Sequence, residues 1–176
     1  MDHQPNMCGG TSVRPPAWIW APHNRRRAFT LIELMSVVII LGIAVALGYP
    51  KYLDNVTRAR NARATGELEN INAELVGYHS THQAFPPSLA DIGRANLLDP
   101  WGNPYRYLSF ATVRVNARGM PQGSRRDRFM VPINTYYDLY SMGKNGTTSV
   151  PLNSGEGRDD IIVARDGGFI GLAWKF

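Results

Sequence analysis

The sequence contains a single cysteine, Cys8, and few charged side chains. One thiol cannot form a disulfide within the chain or a multi-cysteine metal site. Charged residues make up only 19% of the 176 residues and hydrophobic residues 44%, a composition that excludes a disordered, highly charged tail. The 17 glycines follow no repeat, so the chain is not collagen-like. The length fits one domain with appendages.

A concentrated basic face is also lacking. The formal net charge is +5, but much of the excess lies in the first 28 residues, where four arginines face Asp2 alone. Nucleic-acid-binding domains cluster their lysines and arginines on one face. We therefore expect no nucleic-acid partner.

The common enzyme motifs are missing as well. The chain has no G-x-S-x-G, H-E-x-x-H or P-loop pattern. His79 and His82 have the i, i+3 spacing of a helical metal pair, but no cysteine and no further histidine follows them. We interpret both as surface residues at a helix end, and the sequence predicts a protein that is not an enzyme.

The longest apolar run begins at Phe29 and reads FTLIELMSVVIILGIAVALGY, with Glu33 as its only charge. As a helix this run would extend about 31 Å, which is enough to cross the hydrocarbon core of a membrane. Arginines 25–27 directly precede it, so the N-terminus is expected in the cytoplasm. A plain single-span anchor and a secretory signal peptide cut after Ala46 are the alternatives.

Glu33 is an unusual residue for a membrane span, and the segment that contains it resembles a known family. A carboxylate inside a membrane span costs about 2.5–3.5 kcal/mol unless it finds a partner, which indicates a function. The stretch RRRAFTLIEL, residues 25–34, resembles the leader junction of type IV pilins and type II secretion pseudopilins. The resemblance implies peptidase cleavage at Ala28–Phe29, methylation of the new Phe29 amine, an assembly role for Glu33 and a helix kink at Pro50. Ala28 departs from the glycine that the family usually has.

The helix is predicted to continue past the membrane, from about Thr30 to about His79. Apolar side chains recur at helical spacing on one stripe. A short turn from Ser88 to Ile92 and a turn at Trp101, a predicted core anchor, should follow. Strands are predicted at 105–115, 129–133 and 138–141, with an exposed loop over 116–128. The stripe consists of Leu68, Ile71, Leu75 and Tyr78.

Two head segments, DPWGNPY at 99–105 and DLYSMG at 138–143, resemble the major pseudopilin of type II secretion systems. That resemblance implies a calcium-binding loop in this chain. The ligands carried over are the Met142 carbonyl, Asn145, Asp159 and Asp160, and the metal would tie the segment 161–173 to the sheet. Asn145 stands where the family usually has an aspartate, and the segment before Asp159 is longer than usual. An Asx-rich surface loop that binds no metal is the alternative.

The sequence thus predicts an α+β, pilin-like fold, in which one long N-terminal helix packs on a small antiparallel sheet. Residues 1–28 form the leader, 29–50 the membrane-spanning or filament-core helix, and 51–176 a periplasmic head that includes the rest of the helix. The resemblance implies a pseudopilus subunit of type II protein secretion. Its expected partners are copies of itself, minor pseudopilins, the prepilin peptidase and the inner-membrane assembly platform. A subunit of a type IV pilus and a membrane-anchored periplasmic binding or sensor domain are the alternatives.

Overall fold

The computed structural model describes residues 28–176, so the predicted leader, apart from Ala28, lies outside the described residues. The chain divides into two compact units, of which the first ends at Val45 and the second runs from Ala46 to Phe176. The predicted division near residue 50 depends on the membrane and stays a prediction.

Helix α1 runs from Leu31 to His82 and is 52 residues long. It continues through Pro50, as predicted, while the kink at that residue stays a prediction. The helix ends three residues later than expected. Gln83 adopts a left-handed backbone conformation (φ 56°) and its N–H bonds to the His79 carbonyl, which closes the last turn.

The second unit also contains a four-stranded antiparallel sheet. Its strands follow chain order, each hydrogen-bonded to the next. Short 3₁₀ turns flank them, and the turn predicted after Ser88 is confirmed at Leu89–Ile92. This arrangement of helix and sheet confirms the α+β, pilin-like prediction. The strands are β1 (Arg106–Ser109), β2 (Tyr137–Ser141), β3 (Ile161–Ala164) and β4 (Phe169–Leu172).

Two strand predictions are wrong. The first strand ends at Ser109 instead of 115, because its partner β2 begins only at Tyr137 and a 3₁₀ turn follows at Phe110–Thr112. Residues 129–133 form no strand. Their backbone bonds to the preceding loop instead, with the Ile133 N–H donating to the Arg125 carbonyl at 3.0 Å.

The core of the second unit confirms most of the predicted stripe. Leu68, Ile71 and Leu75 are each at most 1% exposed and share one cluster with buried side chains of β2 and β3. Trp101 packs against this cluster as the predicted anchor. Tyr78 lies outside the cluster and stacks on His82 instead, with 4.0 Å between the ring centroids.

The helix stripe should carry much of the stability of this unit. We expect Leu68→Ala to lower the free energy of unfolding by about 2–5 kcal/mol, because a fully buried leucine leaves a cavity. Val76→Ala is the matched control, since Val76 lies on the same helix and is 47% exposed. Urea unfolding of the full chain in detergent, followed by tryptophan fluorescence, measures both. Equal losses in the two variants would contradict the packing.

Candidate functional site

The N-terminal end of α1 is built by Thr30. Its hydroxyl oxygen accepts a hydrogen bond from the Glu33 N–H at 3.2 Å, the contact expected of a helix N-cap residue. Glu33 therefore occupies the third position of the helix. A threonine followed three residues later by glutamate has the spacing of a capping box, so the start of the helix at Thr30 is also indicated by the sequence.

The cleavage-site residues, Ala28 and Phe29, precede this cap. They belong to no helix or strand, and both are exposed. Proteases act on exposed segments outside regular structure, and Ala28 and Phe29 meet both conditions. Cleavage and methylation themselves stay predictions.

The first half of α1 exposes an apolar surface. Phe29, Leu31 and Ile32 are each at least 73% exposed, and the side chains of residues 28–55 are all exposed. Among the described helices, α1 is long and apolar enough to cross a membrane. Water does not favour so large an apolar surface, so this segment needs lipid or other helices around it.

Glu33 adds a carboxylate to that surface within the first helical turn. Its negative charge is favourable there, since the N-terminus of a helix carries partial positive charge. The same position leaves the carboxylate exposed and close in sequence to the Phe29 amine that cleavage would create. Pairing with the amine of a neighbouring copy stays a prediction.

The glycine-rich loop at 142–160 brings together two of its four predicted calcium ligands. Asn145 donates its side-chain amide to Asp159 Oδ1 at 2.6 Å and its backbone N–H to Asp159 Oδ2 at 3.0 Å. Gly143 permits the approach, because it has φ +65° and a Cβ there would lie 2.2 Å from the Asp159 carbonyl oxygen. The loop therefore closes on itself through an amide and a carboxylate.

Asp160 faces a different partner. It is fully buried, and its Oδ2 lies 2.8 Å from Arg125 Nη1 and accepts the Thr148 hydroxyl at 2.6 Å. Burial raises the pKa of Asp160 to about 6, while Thr148 and Arg125 act in the opposite direction. The carboxylate is therefore mostly ionised at neutral pH and needs a positive charge beside it.

The predicted ligands fit calcium in chemistry, because carboxylate and carbonyl oxygens suit a hard cation. The buried Asp160 Oδ1 lacks a hydrogen-bond partner within the described residues and is the atom that a cation would take. The surroundings of Asp160 do not fit a cation site, since the Arg125 guanidinium already lies beside its Oδ2. Within residues 28–176 no cluster of three or more His, Cys, Asp or Glu side chains is gathered for a metal. The four calcium ligands stay a prediction.

Asp99 is a structural residue of this region that the sequence analysis missed. Its Oδ1 accepts the Trp101 and Asn103 N–H groups at 3.0 and 2.8 Å, and its Oδ2 accepts the Ser141 hydroxyl at 2.6 Å. Asn103 then donates to the Gly143 carbonyl at 3.1 Å. The DPWGN turn thus anchors the glycine-rich loop to the end of β2. An aspartate directly before Pro-x-Gly was the available signal.

His79 and His82 do not form a pair. His79 stacks on Phe85, with 4.5 Å between ring centroids, and the His82 Nδ1 lies 3.1 Å from the Tyr78 carbonyl oxygen. Both contacts fit the interpretation as surface residues at the helix end.

Comparison with known proteins places these features in a family. The prokaryotic N-terminal methylation motif matches residues 23–49, which include the junction and the whole apolar run. The chain is also 32% identical over 131 residues to the type II secretion system core protein G of Pseudomonas aeruginosa, covering 59% of this chain and 92% of that protein. The chain belongs to the family of type II secretion system core protein G. The motif and the apolar helix α1 are consistent with a single-pass protein of the inner membrane.

Other members of the core protein G family match over the head as well. The protein from Klebsiella pneumoniae is 27% identical over 143 residues, covering 78% of this chain and 94% of the relative. A type IV major alpha-pilin of Moraxella bovis is 44% identical over only 45 residues, or 26% of this chain. The likeness to this pilin therefore covers a short part of the chain, whereas the likeness to core protein G includes the head. No solved structure gives a significant match.

Proposed function

We propose that this chain is a structural subunit that polymerises into the pseudopilus of a type II protein secretion system. The observation that carries the proposal is the exposed apolar first half of α1, directly behind a pilin-type junction. Such a surface is stable in a membrane and equally stable in a bundle of identical helices. A subunit can therefore leave the bilayer for a filament without exposing the helix to water.

Processing prepares the subunit for this transfer. The prepilin peptidase cuts at Ala28–Phe29 and methylates the Phe29 amine, and the basic leader keeps this end in the cytoplasm while the head lies in the periplasm. In the filament, Glu33 of one copy pairs with the Phe29 amine of the next, which offsets the burial of both charges and fixes the register. The inner-membrane assembly platform drives the step, and minor pseudopilins complete the filament. The role is structural and not catalytic.

Intact-mass analysis of the protein purified from membranes tests this proposal. We expect a chain that begins at Phe29 and carries one extra methyl group. A chain that begins at Leu47 would identify a secretory signal, and one that retains the leader would identify a plain anchor. Either result would contradict the pseudopilin assignment. Filaments sheared from the same cells and detected with antibody against the head would exclude a monomeric binding or sensor domain.

A further inference from the structure

Arg125 is a buried arginine in a loop predicted to be exposed. Its neighbours Arg126 and Arg128 are exposed, as the sequence suggests, but Arg125 is only 3% exposed. Within the described residues it is the one buried cation, while Asp99, Asp138 and Asp160 are buried carboxylates. Burying a guanidinium is costly unless it is paired, so this position requires an explanation.

The side chain of Arg125 joins the glycine-rich loop to the sheet. Its Nη1 lies 2.8 Å from Asp160 Oδ2, and its Nη2 donates to the Thr148 hydroxyl, which in turn donates to Asp160. Its guanidinium carbon lies 3.5 Å from the ring centroid of Tyr140 on β2, a cation–π contact. The guanidinium therefore contacts the loop at Thr148, in its middle, and at Asp160, its last residue, and it also contacts one strand.

The backbone of Arg125 is fixed just as firmly. Its N–H donates to Asp138 Oδ2 at 2.6 Å, and its carbonyl accepts the Ile133 N–H at 3.0 Å. Asp138 also accepts the side-chain amide of Asn134 at 3.1 Å. The backbone of Arg125 is thus held beside β2 by contacts that do not involve its pairing with Asp160.

We propose that the Arg125 guanidinium is the permanent counter-charge of Asp160 and holds the glycine-rich loop closed without a divalent cation. A calcium ion at Asp160 Oδ1 would bind the same carboxylate group as this guanidinium. Two positive charges that share one buried carboxylate repel each other strongly. At the other aspartate, Asp159, the Asn145 side-chain amide donates to Oδ1 and the Asn145 backbone N–H donates to Oδ2. Protein groups thus contact three of the four oxygens of the two carboxylates that the resemblance assigns to a metal, and within the described residues Asp160 Oδ1 is the one without a partner.

Thermal unfolding of the full chain in detergent, with excess calcium chloride or with EGTA, tests the proposal. We expect the melting temperature of the wild-type chain to be the same in both. Arg125→Met keeps much of the side-chain length and removes the charge, and leaves Asp160 buried and unpaired. Such a loss costs about 3–5 kcal/mol, which corresponds to a fall of roughly 10–20 °C for a unit of this size. Arg126→Met, at an exposed arginine, should change little.

Calcium should then affect the variant more than the wild type. Without the guanidinium, the buried carboxylate attracts any available cation, so calcium should partly restore the melting temperature of Arg125→Met and fail to do so after a further Asp160→Asn change. Calorimetric titration of the wild-type chain with calcium gives a readout that does not depend on the variant folding, and should show no binding at the loop. Wild-type binding that Asp160→Asn removes, or equal losses in Arg125→Met and Arg126→Met, would overturn the proposal. Each experiment concerns the head alone, so its failure leaves the proposed filament function intact.

Discussion

Glu33→Gln is expected to leave cleavage and membrane insertion intact and to reduce filament yield at least tenfold. Glutamine keeps the size of the side chain but removes its charge, so the neighbour's Phe29 amine would be buried without a partner. Breaking a buried pair in this way costs about 3–5 kcal/mol, and each 1.4 kcal/mol is a factor of ten in an equilibrium constant. Shearing of cells, sedimentation and quantitative immunoblotting of the head measure the yield.

The structure makes this substitution a clean test of the charge. Thr30 accepts the backbone N–H of residue 33, which glutamine retains, and glutamine is as well suited as glutamate to this position of a capping box. The start of α1 should therefore be unchanged. Glu69→Gln is a suitable control, because Glu69 is an exposed glutamate on the head portion of the same helix. Wild-type filament yield from Glu33→Gln would show that the carboxylate does not fix the register.

The helix was predictable because its signals are local. An unbroken apolar run and a stripe at helical spacing predict α1 and its buried face at Leu68, Ile71 and Leu75 without reference to the rest of the chain. The error of three residues at its C-terminus depends on the left-handed conformation of Gln83, which the sequence does not indicate. Ends of helices depend on single residues in this way.

The strands were less predictable because each one depends on a partner. Residues 105–115 have strand-like composition over their whole length, but pairing stops at Ser109, where β2 begins at Tyr137. Residues 129–133 are apolar enough for a strand, yet Pro132 lacks an N–H and Ile133 bonds to Arg125 instead. The pairing partner, which lies far away in the chain, decides such segments.

Dependence on distant residues also explains why the prediction of an exposed loop over 116–128 fails at Arg125. Arginines in a run with glycine and proline predict a solvated segment, and for Arg126 and Arg128 the prediction holds. Arg125 is buried because its guanidinium contacts Asp160 and Tyr140. Both residues are distant in the sequence, so the residues around Arg125 do not predict these contacts. The resemblance predicted which residues meet in the loop at Asn145 and Asp159, but it could not indicate the positive charge beside Asp160.

Ala28→Leu should have the largest effect of any change at the junction, because every later step depends on the bond that follows this residue. The resembling family has glycine there, which implies that the peptidase accommodates only a very small side chain, and alanine is the next smallest. Ala28 is exposed and precedes the helix, so a leucine at this position leaves α1 and the head undisturbed. We expect the uncleaved precursor to accumulate in the membrane and filaments to be absent, with the leader still present in the intact mass.

Ala28→Gly is the matched control and should be processed at least as fast as the wild type, because it restores the family's residue. Normal cleavage of Ala28→Leu would contradict the assigned site. The assignment of Ala28–Phe29 depends on a small side chain before the cut, and a peptidase that accepts leucine there does not require one.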